Sequence, residues 1–186
     1  MQEKQARLQQ RLGPEIQEFR QACKTLMLAT CDAAGQPNVS YAPFAWNEHG
    51  YFVLISEIAR HARNLKLRPQ LSFMLIEDEQ LSRQLYARRR LTFDASAALV
   101  ARDSLMWQAG IQALQERHGA LVADLANMAD FSLFCLQPES GLYVKGFGQA
   151  FEVSGQGAVD IVHLDQGHRP VAGTQLPLPE VVPSSR

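Results

Sequence analysis

Apolar residues near the start of the chain recur every three or four positions, which is the period of an amphipathic helix. The members of this pattern are Leu8, Leu12, Ile16, Phe19 and Cys23. Gly13-Pro14 interrupts the pattern, and proline suits the first turn of a helix. We therefore expect the firm helix to run from about Pro14 to Lys24, with residues 1–13 as a helical extension.

The chain beyond this helix alternates short apolar runs with turn residues, which is typical of antiparallel hairpins. The predicted strands are 25–30, 38–46, 51–56, 70–76, 89–100, 131–136, 142–145 and 149–153, with Pro138–Gly141 as a turn and Gly146–Gly148 as a kink. The predicted helices are 58–68, 121–128 and 158–163, and one more that Asp103 or Ser104 caps. This order predicts a mainly β protein of the α+β type, a small antiparallel barrel of six or seven strands with peripheral helices.

Composition and charge narrow the class of protein. The chain has 186 residues, of which 46% are hydrophobic, enough for one domain with a substantial core. Its net charge of -1 gives no broad positive field for nucleic acid. The polar start and the lack of a spanning apolar run predict no leader and no membrane segment. Three widely spaced cysteines fit a reducing compartment, so we expect a cytoplasmic protein.

The end of the chain combines irregular composition with two histidines. Residues 170–186 carry four prolines and no apolar period, which predicts a flexible tail after a domain at 14–169. His163 and His168 are five residues apart, about 140° on a helix, so they do not form a zinc pair on one helix face. His168 follows an irregular Gly-rich stretch. Its imidazole either belongs to a frayed terminus or reaches a partner or cofactor.

Two basic clusters are candidates for binding an anion. Arg88, Arg89 and Arg90 open a predicted strand, so Arg88 and Arg90 face one side and Arg89 the other. Their guanidinium groups suit a carboxylate or a phosphate, but they equally suit a soluble strand edge. Arg60, His61 and Arg63 form the second cluster, for which a solvated helix face is the simpler interpretation. The Gly146-Phe-Gly148 stretch lacks the third glycine and the context of a dinucleotide-binding turn.

The order of several segments resembles a known family. These segments are EIQEFRQACKTLMLAT, GQPNVSYAPFAW, GYFVLISEIARHARNL, IEDE, ARRRLTF and GLYVKGFGQAFEV. Together they resemble the split-barrel family related to pyridoxamine 5'-phosphate oxidase, and more narrowly the haem-utilisation proteins of the HutZ/HugZ group. The resemblance covers about Leu12 to Arg169. It implies a homodimeric split β-barrel that binds haem near its dimer interface.

The resemblance also implies roles for four residues. The axial histidine of the family corresponds to His168, on the C-terminal loop. The acidic residue that bonds this imidazole across the interface corresponds to Asp130, and Thr25 corresponds to the residue that holds the carboxylate. Arg90 matches a basic position near the haem, where it pairs with a propionate or polarises bound oxygen. A carboxylate on the far nitrogen strengthens an imidazole as a donor to iron.

We therefore expect a haem-degrading oxygenase that releases iron from haem, with an electron donor that the sequence does not identify. A haem carrier or store that leaves the porphyrin intact is one alternative. The ancestral ligand of the superfamily is FMN, so an FMN-dependent oxidoreductase is the other.

Overall fold

The computed structural model describes residues 2–154 of the chain. It has the helices α1 Gln2–Ala22, α2 Arg60–Leu67, α3 Leu105–His118 and α4 Leu121–Ala126, and two short 3-10 turns. The strands are β1 Thr25–Cys31, β2 Pro37–Pro43, β3 Ala45–Asn47, β4 Gly50–Ser56, β5 Gln70–Ile76, β6 Arg90–Leu99, β7 Phe131–Gly146 and β8 Gln149–Ser154. His168, the helix predicted at 158–163 and the tail predicted at 170–186 lie outside the described residues.

The eight strands form one antiparallel sheet that curls into a split barrel. The strand order is β2-β1-β5-β6-β7-β4-β3, with β8 paired to the far half of β7. This confirms the predicted architecture, a mainly antiparallel barrel with peripheral helices. In the described part of the chain, no helix has both the length and the apolar character needed to cross a membrane.

Alternate residues along each strand divide between an inner and an outer face of the sheet. On β6, Leu91, Phe93 and Ala95 point into the core, and Arg90, Thr92 and Asp94 lie between them on the outer face. The core includes a chain of aromatic rings through Tyr51, Phe73 and Phe93, with centroids 4.9 to 6.0 Å apart. We use "outer face" below for the surface of β1, β2, β5, β6, β7 and β8 that turns away from this core.

The first helix differs from its predicted extent because it begins at Gln2 and passes through Pro14. Proline inside a helix removes one backbone hydrogen bond and crowds the preceding turn, which is why the sequence favoured a start there. Leu12 lies in the turn before Pro14 and is fully buried in the barrel core with Ile16 and Phe19. Tertiary packing on both sides of Pro14 therefore outweighs the local cost of the proline.

The predicted turn at Pro138–Gly141 is wrong, because β7 continues through it as one strand. The register with β6 skips one residue there: Asp94 pairs with Ser140, whereas Ala95 pairs with Pro138. A bulge is one of the few places where a strand accepts proline, since the missing N–H falls outside the ladder. The predicted turn is thus a β-bulge, and the strands predicted at 131–136 and 142–145 are one.

The remaining differences are local. The strand predicted at 38–46 divides into β2 and β3, and the sheet has eight strands rather than the six or seven expected for the barrel. Of the two predicted caps for α3, Ser104 is the one used: its side chain accepts a hydrogen bond from the backbone N–H of Trp107. The predicted kink at Gly146–Gly148 forms the β7–β8 turn, where Gly148 has a φ of 65°.

Candidate functional site

Two of the predicted site residues, Thr25 and Arg90, lie on the outer face of the sheet. Thr25 is the exposed first residue of β1, and Arg90 is the partly buried first residue of β6. Arg90 pairs with Ile76 on β5, and extending the β1–β5 register by two residues sets Thr25 level with Ile76. Two strand spacings, about 10 Å, therefore separate the backbones of Thr25 and Arg90. The fold brings both residues to one end of the outer face.

The three consecutive arginines have different partners. The Arg88 guanidinium donates to the backbone carbonyl of Glu77 at 3.0 Å and pairs with the Glu79 carboxylate at 3.0 Å. Arg89 turns inwards, pairs with the Glu77 carboxylate at 3.0 Å and lies over the Phe19 ring at 5.4 Å. Arg90 donates to the Arg88 carbonyl at 3.2 Å, and no carboxylate within residues 2–154 forms an ion pair with it. Arg90 is therefore the member of the three whose charge is available to an added anion.

Apolar side chains cover the outer face beside Thr25. Met27 on β1 is 39% exposed, and Val39 and Tyr41 on the edge strand β2 are 65% and 68% exposed. The register aligns Tyr41, Met27 and Met74 in one row across three strands. A contiguous exposed apolar surface of this kind is typical of a protein interface or a ligand-binding surface.

Asp130 lies at the other end of the sheet, immediately before β7, as predicted. Its backbone carbonyl accepts a hydrogen bond from the Glu57 N–H at 2.7 Å, and its carboxylate accepts one from the Ser56 hydroxyl at 3.3 Å. The Asp130 side chain is exposed. The end of β4 thus holds the backbone of Asp130 and leaves its carboxylate accessible from outside the protomer.

The fold does not bring Asp130 to Thr25 and Arg90 within one protomer. Arg90 and Leu99 are at opposite ends of β6, which are about 30 Å apart along an extended strand. Leu99 pairs with Phe134, close to the Asp130 end of β7. In the described part of the chain no hydrogen bond joins Thr25 to Asp130. The predicted contact between Thr25 and Asp130 is therefore not formed within a single chain.

A cavity of about 320 Å³ lies beside Asp130, with Leu99, Arg102, Trp107 and Phe131 among its lining residues. Glu57 lines the same cavity, where its carboxylate accepts hydrogen bonds from the Lys66 ammonium and, at 2.6 Å, from the Ser132 hydroxyl. These two bonds, the one from Lys66 first, hold the pKa of Glu57 below its ordinary value.

The lowered pKa of Glu57 predicts a dependence of stability on pH. A depressed carboxylate pKa contributes stability that is present above the unfolded-state value, ordinarily near 4.5, and is lost as pH falls through the folded-state pKa. We expect the free energy of unfolding of the wild type to exceed that of Glu57→Gln at pH 6, and the difference to shrink as the pH falls below 4.5. Urea unfolding of both proteins at several pH values measures this difference in the free energy of unfolding. The control is Glu18→Gln, which removes an exposed carboxylate that forms no ion pair among the described residues; a difference that stays constant with pH contradicts the prediction.

The second basic cluster is partly engaged within the chain. Arg60 pairs with the Asp32 carboxylate at 3.0 Å, and Arg63 donates to the Ile58 carbonyl at 2.6 Å. Burial lowers the pKa of His61, so its imidazole is neutral at pH 7. Arg60 is therefore paired within the chain, whereas Arg63, which binds only a carbonyl, keeps its charge available to an anion. Within residues 2–154, no group of three histidine, cysteine or acidic side chains could hold a metal ion.

Sequence reasoning did not single out the residues that hold Asp130. Ser56 lies 74 residues from Asp130 along the chain, and Arg102 lies 26 residues from Met128, whose carbonyl it binds. No local motif marks such contacts, because β4 and β7 meet only when the sheet assembles. The ISEIARHARNL segment, which begins at Ile55, is the one sequence signal near this region.

The eight-stranded antiparallel split barrel and its outer-face site define a protein of the split-barrel class. The chain belongs to the pyridoxamine 5'-phosphate oxidase family, whose family model matches residues 12–145. Its sequence is 62% identical over 169 residues to the protein of Vibrio cholerae serotype O1 named heme oxygenase HutZ, with 91% of this chain and 96% of that protein covered. The predicted resemblance to the HutZ/HugZ group is thereby confirmed.

Two solved structures extend the comparison. A crystal structure of HutZ from Vibrio cholerae, described there as a heme storage protein, is 62% identical with a TM-score of 0.70 and covers 73% of this chain and 95% of that one. The crystal structure of ChuZ from Campylobacter jejuni is 28% identical with a TM-score of 0.78, and covers 86% of this chain and 66% of that one.

Proposed function

We propose that this protein is a homodimer that binds haem between its protomers and degrades it oxidatively to release iron. The observation that carries the proposal is the division of the site: Thr25 and Arg90 lie at one end of the outer face, and Asp130 lies at the opposite end of the sheet. The relative named heme oxygenase, at 62% identity, supports haem as the ligand.

The outer face supports a dimer because it leaves Met27, Val39 and Tyr41 exposed. Burying them against a second copy removes apolar surface from water, at about 25 cal/mol per Å². An antiparallel arrangement of two copies brings the Asp130 end of one protomer to the Thr25 end of the other. Each dimer then has two equivalent sites, as a twofold axis requires.

The residue types present fit haem. Arg90, with no carboxylate partner in the described chain, suits a propionate, and the apolar side chains beside Thr25 suit the porphyrin edge. When bound, the haem iron supplies the centre at which oxygen or peroxide reacts. In this proposal His168 would ligate the iron, and the Asp130 carboxylate of the other protomer would accept a hydrogen bond from the imidazole N–H. This hydrogen bond would orient the ring and strengthen the imidazole as an electron donor to iron. The Thr25 hydroxyl donates a hydrogen bond to the Asp130 carboxylate and keeps it in place.

Titration with hemin, followed by ascorbate or peroxide, tests the proposal. We expect the purified protein to shift the Soret band of hemin to that of a histidine-ligated complex. We expect that band then to bleach on addition of ascorbate or peroxide, with release of iron to a ferrous chelator. A hemin spectrum unchanged by the protein contradicts haem binding.

A haem carrier is the second candidate, and the description of the HutZ crystal structure as a heme storage protein favours it. It predicts the same Soret shift without loss of the porphyrin when ascorbate or peroxide is added. The bleaching arm of the titration therefore separates the two functions.

An FMN-dependent oxidoreductase is the third candidate, favoured by the family to which the chain belongs. Arg60 is paired with Asp32 and burial lowers the pKa of His61, which leaves Arg63 as the main positive charge that α2 offers an FMN phosphate. A yellow protein with a flavin spectrum as isolated would support this candidate over haem.

A further inference from the structure

The turn that presents Asp130, residues 126–131, is held by one side chain from a different part of the chain. Arg102 belongs to the connection between β6 and α3. Its guanidinium donates to the backbone carbonyls of Met128 and Phe131, each at 2.9 Å, and to that of Ala126 at 2.5 Å. Three carbonyls that span the turn on both sides of Asp130 thus converge on a single planar group.

The Arg102 guanidinium is itself fixed in orientation. Its central carbon lies 4.6 Å from the centre of the Trp107 ring, and Trp107 is buried together with Leu114 and Leu133. Ser104, the cap of α3, binds the backbone N–H of Trp107 at 3.1 Å, which ties the ring to the start of that helix. Stacking on an aromatic face and several directed donors are properties of arginine that lysine does not share.

Residues at the end of β4 also bind Asp130, independently of Arg102. The Glu57 N–H binds its carbonyl at 2.7 Å, and the Ser56 hydroxyl approaches its carboxylate at 3.3 Å. Two anchors therefore hold the turn. One is the backbone hydrogen bond from Glu57 at the end of β4, and the other is the Arg102 guanidinium. Loss of the Arg102 anchor leaves the turn held by the β4 side and by its own backbone hydrogen bonds, among them the one from the Phe131 N–H to the Met128 carbonyl at 3.3 Å.

Arg102 makes no ion pair with a carboxylate within residues 2–154. Its donors instead serve main-chain carbonyls, and the side chain itself stays exposed to solvent. The arrangement is suited to fixing the path of a backbone whose exposed side chain has to meet a partner at a set distance.

We propose that Arg102 is a positioning residue for Asp130. It holds the 126–131 turn so that the Asp130 carboxylate would reach the imidazole proposed to ligate haem in the other protomer. This inference rests on the proposed function. Arg102 does not touch haem in this account, and acts only through the turn.

Two readouts test the role of Arg102. In the haem-free protein, we expect Arg102→Ala to accelerate hydrogen exchange of the Glu57 amide by about tenfold, because its acceptor Asp130 becomes mobile. In the ferrous haem complex, we expect the iron–histidine stretching frequency of Arg102→Ala to move from the wild-type value towards that of Asp130→Asn. Arg102→Lys, which keeps the charge and loses the planar fork, should resemble Arg102→Ala in both readouts.

The matched control is Arg68→Ala, which removes another arginine that binds a turn carbonyl, that of Ala33 at 2.8 Å. We expect both of its readouts to equal the wild type. An arginine that only stabilised the fold would lower the unfolding midpoint while the folded fraction kept the wild-type frequency, and that result overturns the inference. If Asp130→Asn shifts the iron–histidine frequency and Arg102→Ala does not, the inference about Arg102 fails and the proposed site stands. If Asp130→Asn also leaves the frequency unchanged, both the inference and the proposed site fail.

Discussion

Replacing His168 by alanine is expected to abolish histidine ligation of haem, and replacing Asp130 by alanine to lower haem degradation by about 10- to 100-fold. A dimer that combines one protomer of each variant should nevertheless regain about half of the wild-type rate. In that mixed dimer, the unchanged His168 of one protomer meets the unchanged Asp130 of the other. The second site of the dimer carries both substitutions and is inactive.

Coexpression with two different affinity tags and purification over both provides the mixed dimers. The rate of haem bleaching with ascorbate measures recovery, and each parent homodimer purified with both tags is the control. A site built within one protomer gives a different result, because each site of the mixed dimer would then carry one substitution. A bleaching rate no higher than that of the parents would therefore exclude the two-protomer site.

The Gly50→Ala substitution is expected to lower the free energy of unfolding by about 3 kcal/mol or more. Gly50 begins β4 with a φ of 133°, which residues with a side chain rarely adopt. A methyl group there would lie 2.6 Å from the carbonyl oxygen of Leu136 and 3.2 Å from the sulfur of Cys135. The backbone of the neighbouring strand cannot move aside without breaking its pairing. The cost of backbone strain and the cost of steric overlap therefore add.

Urea unfolding of Gly50→Ala and Gly35→Ala separates these two causes. Gly35 also has a positive φ, of 82°, but no atom lies within 4 Å of a methyl group placed there. We expect Gly35→Ala to cost about 1 kcal/mol, from backbone strain alone. Equal losses for the two variants would show that the close approach of β4 to β7 contributes nothing.

Most strands could be predicted from the sequence because the two-residue alternation of a strand is a local property. The same alternation predicted that Arg89 and Arg90 face opposite sides, and the structure places Arg89 against Phe19 and Arg90 on the outer face. Two local signals misled, since Pro14 marks no helix start and Pro138 marks no turn. At Pro14 tertiary packing offsets the lost helical hydrogen bond, and at Pro138 a β-bulge accommodates the missing N–H.

The candidate site, like the fold, could be predicted from the sequence only in part. Thr25, Arg90 and Asp130 were identified by resemblance, and their positions at strand ends follow from the sequence pattern. Their roles, and that of His168, remain predictions, as do the homodimer and the boundaries at residues 13 and 169. The contacts of Asp130 with Ser56 and of its turn with Arg102 could not be predicted, because long-range strand pairing creates them.

The sequence alone determined the alternation of inner and outer residues, the family and the residue types of the site, because periodicity and motif order are properties of neighbouring positions. Only the tertiary structure decided that Thr25 and Arg90 share one end of the outer face while Asp130 lies at the other. Sheet register sets that separation, and register depends on pairing between segments far apart in the chain. The physical reason to expect a site made by two protomers is therefore visible only in the fold.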